Sequence, residues 1–226
     1  TPDGAQYFFG RGFVKNSAGT AVATNSVWTV PVYADNAGEP CYNATWSNSW
    51  CRQAWRWNLD LVLDRNLNQQ VYFYQTSTNE YLRGGSVRTS YERGGYLIRV
   101  EYSARYGPNG SENPTARLVL GYESRCTQRV NDTYAVANST PCPAYTQANA
   151  ASWPDVPVDL DCDAGGVGCA KTSPSFFEGA MLRTVSAQRV IGGAWKTSEL
   201  LELAYQFPSP GSGQELSLWL GRARRT

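Results

Sequence analysis

The stretch Trp55-Arg56-Trp57-Asn58-Leu59-Asp60-Leu61-Val62-Leu63-Asp64 alternates apolar with polar side chains along most of its length. Successive side chains point to opposite faces of a strand. An extended chain here puts Trp55, Trp57, Leu59, Leu61 and Leu63 on one face and Arg56, Asn58, Asp60 and Asp64 on the other. The expectation is one strand over 55–64, dry on one side and wet on the other. Such a pattern suits a sheet that covers something better than it suits an active-site scaffold.

The same reading extends outward to strands at 6–9, 26–33, 69–76, 96–103, 116–123, 181–190, 199–207 and 216–220. In 96–103, Tyr96, Ile98, Val100 and Tyr102 oppose Leu97, Arg99, Glu101 and Ser103. No segment sustains a helical period with caps, so long helices are not expected; 46–55 has room for one helical turn. Asp64-Arg65-Asn66-Leu67-Asn68 reads as a hairpin turn, because Asp and Asn bond their own backbone and tolerate left-handed conformations. Gly84-Gly85, Gly94-Gly95 and Gly192-Gly193 read as further breaks. The fold class expected is all-β: an antiparallel meander of hairpins forming a single β module over 1–226. Residues 126–174 have little alternation and much Asn, Ala, Pro, Asp and Gly, and form a long irregular surface excursion within it.

Composition narrows the chemistry. Of 226 residues, 42% are hydrophobic and 17% charged, too apolar a balance for a disordered chain. Twenty basic and 19 acidic residues nearly cancel, and the one basic cluster, Arg222-Ala223-Arg224-Arg225, is too short to indicate a nucleic-acid partner. No apolar run has the length of a membrane span. The chain lacks histidine, which excludes Ser-His-Asp and Cys-His nucleophile systems and His-ligated metals. Six cysteines fall into three local pairs: Cys41 with Cys51, Cys126 with Cys142, Cys162 with Cys169. Their even number and loop contexts favour disulfides and an oxidising compartment. Zinc is the rival, but the chain has no C-x-x-C and no His to complete a site.

Leu63-Asp64-Arg65-Asn66-Leu67-Asn68-Gln69-Gln70-Val71-Tyr72-Phe73-Tyr74 resembles the D-x-x-G-N-x-x-x-Y-x-Y hairpin of Rhs/YD-repeat proteins. Gly95–Tyr102 is similar to the strand that follows it, and Asp3–Gly10 to an earlier D-G-T-x-Y-x-F-G strand. Segments 25–32, 53–60, 153–160, Gln206-Phe207-Pro208 and Leu218-Trp219-Leu220 resemble large secreted actinobacterial members. Leu67 stands where that hairpin pattern has Gly, so a positive φ is expected on Asn66 or Asn68 instead. The resemblance implies a piece of a larger secreted or cell-surface protein, upstream of the regular repeats. The family's repeats wind a sheet into a hollow shell, which often encloses a C-terminal toxin or effector. The implied partner is the remainder of the parent chain, its downstream repeats and effector. Neither the effector nor the family's self-cleavage region is present.

Three site readings compete with a purely structural role. Asp159, Asp161 and Asp163, followed by Gly165, partly echo a calcium loop. The Gly is one position late and Ala170 stands where a bidentate Glu belongs, so the residual calcium candidate is irregular, and no cofactor is otherwise implied. Asp60, Asp64 and Glu101 are the carboxylates a glycoside hydrolase would draw on. Trp46, Trp50 and Trp153 lie near cysteines in loop-like sequence and are candidates for stacking on a surface glycan. The leading expectation is a non-catalytic wall module in which Trp55, Trp57, Leu59, Leu61, Val71, Phe73, Ile98 and Val100 form the covered face.

Overall fold

The computed structural model describes residues 1–130, 140–162, 169–211, 213 and 216–226. Fourteen strands appear among them: β1 Gln6–Phe9, β2 Phe13–Lys15, β3 Ala21–Ala23, β4 Val27–Tyr33, β5 Trp50–Trp57, β6 Leu59–Leu63, β7 Gln69–Arg83, β8 Val87–Tyr102, β9 Tyr106–Gly107, β10 Gly110–Ser111, β11 Ala116–Ser124, β12 Ala180–Ile191, β13 Ala194–Gln206 and β14 Trp219–Arg225. Among the described residues, helical structure is limited to single 3-10 segments at Trp46–Asn48, Gln147–Ser152 and Val158–Leu160. Eight strands form one antiparallel sheet, ordered β1-β6-β7-β8-β11-β12-β13-β14; β2-β3, β4-β5 and β9-β10 are separate two-stranded ladders. None of the described sheets closes on itself into a barrel or shell. Three disulfides join Cys41 to Cys51, Cys126 to Cys142 and Cys162 to Cys169.

The alternating stretch at 55–64 is two strands, not one. Up to Trp57 the backbone pairs with β4 in a small ladder, and from Leu59 it pairs with β1 and β7 in the large sheet. Asn58 is the switch. Its N–H donates to Ser26 O at 2.8 Å, its carbonyl accepts from Gly10 N at 2.9 Å, and its side-chain amide also reaches Ser26 O at 3.1 Å. Alternation survives the switch, but the two halves belong to different layers. Leu61 and Leu63 join Val14, Val71 and Phe73 in one buried cluster, with Phe8, Val22 and Ile98 against it. Trp55 packs in another, on Val30, Tyr81 and Tyr91. Trp57, expected on the dry face, is 59% exposed and lies against Gly10.

Asp60 reverses the other half of the expectation. It is fully buried, because the 10–12 and 24–26 segments cross over it. Its carboxylate accepts the Arg11 N–H at 2.6 Å and the Thr24 hydroxyl. Beside it the buried Ser26 hydroxyl accepts from Gly12 N at 3.0 Å, and Tyr74 N donates to Thr24 O. A charged group in the interior is tolerated when hydrogen bonds replace its hydration.

The turn at Asp64–Asn68 forms, with the carboxylate at its centre. Asp64 Oδ1 accepts from Asn66 N at 2.7 Å and Asn68 N at 2.9 Å, and Oδ2 accepts from Asn68 Nδ2 at 2.7 Å. These bonds, that of the Asn68 side chain foremost, hold the Asp64 carboxyl below its ordinary range. The positive φ falls on Leu67 itself, at 62°, and on neither Asn. A left-handed residue with a Cβ costs about 1–2 kcal/mol. Leu67→Gly is therefore expected to raise stability by about 0.5–1 kcal/mol after glycine's own entropy cost. A urea unfolding midpoint that falls on this substitution would refute that account of the turn.

Gly94-Gly95 is not a break but the middle of β8, opposite a register shift in β7. The covering layers touch the sheet here. A Cβ on Gly95 would lie 2.3 Å from Gln75 O and 2.8 Å from Trp28 Cζ2, and one on Gly94 2.9 Å from Phe177 O. The connection between β11 and β12 docks on the same region. Buried Asn79 donates to Leu160 O at 2.9 Å and accepts from Cys162 N at 2.8 Å, while Tyr91 OH donates to Ser175 O at 2.7 Å. Cys126, Trp153, Val156 and Val158 give this connection a small core of its own.

Candidate functional site

The register of the large sheet sorts its two faces. Tyr7 is opposite Val62, Tyr72 opposite Val100, Val100 opposite Leu118, Leu120 opposite Val185 and Val185 opposite Leu201. Paired residues share a face, so an apolar band crosses the sheet from β1 to β13. Leu61, Val71 and Phe73 lie on the other face, the one that β2 covers. Val100, expected on that covered face, lies instead on the opposite side beside Leu118. Val100 is buried, whereas Leu118, Leu120, Val185 and Leu201 are half-buried. A shallow hollow of about 240 Å³ opens among Leu118, Val185, Ala187, Leu200 and Leu201, with the Glu199–Arg225 ion pair at its rim. The extensive contacts of β11–β14 are with their own neighbours in the sheet.

The edge is equally open. Every residue of β14 is exposed, with Trp219 and Leu220 among the most exposed large apolar side chains. A long edge with unpaired backbone groups is a template for pairing with another strand. Arg224 pairs with Glu202 at 2.6 Å, which takes up charge that otherwise guards such an edge.

The structure places the other candidates apart. Glu101 lies on the face that carries Val71, with Arg99 Nε 2.7 Å from its carboxylate, whereas Asp60 is buried beneath segments 10–12 and 24–26 and Asp64 closes a turn. These carboxylates are each engaged structurally and do not face one another across a cleft. Asp159 lies 3.7 Å from the Lys171 ammonium and Asp161 3.7 Å from the Arg93 guanidinium, while Asp163 lies outside the described residues. Among the described residues no group of three or more His, Cys, Asp or Glu side chains is placed to hold a metal. Trp153 is buried, edge-on to Tyr145 with ring centroids 4.9 Å apart. Trp50 lies in β5 beneath the Arg83 guanidinium, 3.6 Å from its ring centroid. Trp46 alone of the three is exposed.

Sequence reasoning missed Asn79, whose buried amide ties the β11–β12 connection to β7. An Asn inside a strand pattern, where Asn is disfavoured, is the signal that could have found it. It also missed the half-buried phenols Tyr74 and Tyr122. Burial, then the nearby Asp60 carboxylate, pushes Tyr74 up from 10.0 to about 12. Burial, with Tyr96 and Tyr205 beside it, pushes Tyr122 up from 10.0 to about 12. The folded state thus holds these protons more tightly than the unfolded chain. Their contribution is complete below pH 10 and is lost as pH rises toward 12. Stability is expected to fall over that window, and Tyr74→Phe with Tyr122→Phe should flatten the fall. An unchanged slope in the double variant would refute the assignment.

No family model matches the chain, and no curated protein matches it. Among solved structures, the N-terminal domain of effector protein SpvB from Salmonella typhimurium strain LT2 is similar at 16% identity and a TM-score of 0.40, over 98% of this chain and 64% of that one. The TcdB2-TccC3-TEV crystal structure is similar at 14% identity and a TM-score of 0.34, over 88% of this chain and 9% of that one. The chain spans less than two thirds of either. Both likenesses are distant, and neither decides topology or role.

Proposed function

We propose that this chain is a non-catalytic wall module of a larger secreted Rhs/YD-repeat protein, one part of a β-shell that encloses or presents a C-terminal effector. The apolar band on the uncovered face of the large sheet carries this reading. A sheet with Tyr72, Leu118, Leu120, Val185 and Leu201 half-buried on one face and no described layer over them has apolar area that association would bury. The open edge at β14 offers the same kind of partner a place to extend the sheet. Three disulfides suit an oxidising, extracytoplasmic setting, and two of them restrain the long connection between β11 and β12. The partner is the remainder of the parent chain.

The test is protease protection of the C-terminal passenger in the full-length parent. Leu118→Glu with Leu201→Glu places two charges on half-exposed positions of the uncovered face. The isolated module should keep its unfolding midpoint within a few degrees, while passenger cleavage in the parent accelerates by about tenfold. Unchanged passenger cleavage, with the module folded, would contradict the proposal.

A further inference from the structure

Residues 35–48 form a largely exposed loop clipped to β5 by the Cys41–Cys51 disulfide. Its return is fixed by a buried serine: Ser49 Oγ donates to Ala34 O at 2.6 Å and accepts from Asn43 N at 2.9 Å, and Ser49 O accepts from Ala34 N at 3.1 Å. At the tip, the Trp46 indole stacks on the Tyr33 ring with centroids 4.6 Å apart and planes 13° from parallel. Tyr33 is itself held, because its hydroxyl accepts from Arg83 Nη1 at 3.2 Å. Parallel stacking covers one face of the indole, yet Trp46 remains 58% exposed. Its other face is therefore turned outward on a rigid support. Exposing a large flat apolar ring is unfavourable in water, and holding it in one orientation removes the ordering cost of binding something to it.

The chemistry around the ring narrows the ligand. From 35 to 50 the chain carries Asp35 and Glu39 and no Lys or Arg, so the loop repels phosphate and sulfate. That disfavours nucleic acid and anionic lipid, whose recognition rests on basic side chains. The polar groups close to Trp46 in the chain are neutral amides and hydroxyls: Asn43, Thr45, Ser47 and Asn48. A flat apolar platform on a loop rich in uncharged donors and acceptors matches a pyranose, which has a C–H face to stack and hydroxyls at its rim. We propose that the Cys41–Cys51 loop is a binding site for neutral saccharides, with Trp46 as the stacking platform. It is independent of the wall function and lies on a different part of the surface from the apolar band.

The whole chain is to be screened on an array of neutral and acidic glycans, and hits are to be titrated by saturation-transfer NMR with the corresponding free hexasaccharide. The expected result is saturable binding of at least one neutral glycan, a loss of tenfold or more in Trp46→Ala, and retention within about threefold in Trp46→Tyr, which keeps a flat ring. Because Trp46 is exposed, its variants should unfold with the parent midpoint, and this is measured on the same samples. Three outcomes would overturn the proposal: no neutral glycan bound at millimolar concentration, binding that survives Trp46→Ala, or binding of acidic glycans alone.

Discussion

Gly95→Ala is expected to destabilise the fold by about 3 kcal/mol or more. Gly95 sits in mid-strand at φ 155°, where the added methyl would meet the Gln75 carbonyl at 2.3 Å and the Trp28 ring at 2.8 Å. Neither neighbour can give way. Gln75 O belongs to the backbone of β7, and Trp28 is wedged by Trp55, with ring centroids 5.7 Å apart, and by the Arg56 guanidinium 4.9 Å from its ring. The clash would separate β4 from β8, the contact through which the β4-β5 layer covers the sheet. Gly179→Ala is the control, since a Cβ there meets only Val156 Cγ1 at 3.8 Å. Urea unfolding should show a large drop in midpoint for Gly95→Ala and a change of under about 0.5 kcal/mol for Gly179→Ala. Equal effects would mean that Gly95 is not the point of closest approach.

The second large effect belongs to Asp60→Ala, at about 2–4 kcal/mol. Removing the carboxylate strands the Arg11 N–H and the Thr24 hydroxyl, and Thr24 is itself fully buried. Asp60→Asn should cost less, because the amide oxygen still accepts one of the two bonds. The same urea measurement, with the m-value unchanged, separates loss of these bonds from a change in the unfolded state. If Asp60→Ala were neutral, the carboxylate would be surface charge, as the bare alternation suggests.

Asp60 also shows where sequence stops being informative. Period-two alternation assigns faces, and it placed Leu61, Leu63, Val71 and Phe73 on one side as found. It does not say which layer lies on each face. The polar side of 55–64 reads as wet because nothing local reveals that the segments at 10–12 and 24–26 cross over it. The strand switch at Asn58 is hidden for the same reason, since both halves keep the same period while their backbones pair with different sheets. Turns fared according to how local they are. Gly84-Gly85 and Gly192-Gly193 join adjacent strands and behave as their sequence suggests. Gly94-Gly95 has the same sequence signal, but its glycines serve a close approach by Trp28 and Phe177, which are distant in the chain.

The candidate site divides the same way. Trp46, Trp50 and Trp153 are indistinguishable as aromatic residues near cysteines. Their fates depend on what folds against them: Tyr33 under one face of Trp46, Arg83 over Trp50, Tyr145 and the Cys126 cluster around Trp153. The alternation in β8 was legible, but it assigned Val100 to the covered face, and the register with Leu118 is what moves it to the other. That this other face remains uncovered is a property of the assembled layers, since β2-β3 and β4-β5 both settle on the opposite side of the sheet or toward its β7-β8 end.

The wall role requires that this face be covered in the parent protein. Hydroxyl-radical footprinting of the isolated module and of the full-length parent protein tests it most directly. Labelling of Tyr72, Leu118, Leu201, Trp219 and Leu220 should fall by several-fold in the parent, while Trp57, exposed on the other layer, keeps its rate. Equal labelling of the band in both proteins would contradict the wall-module account.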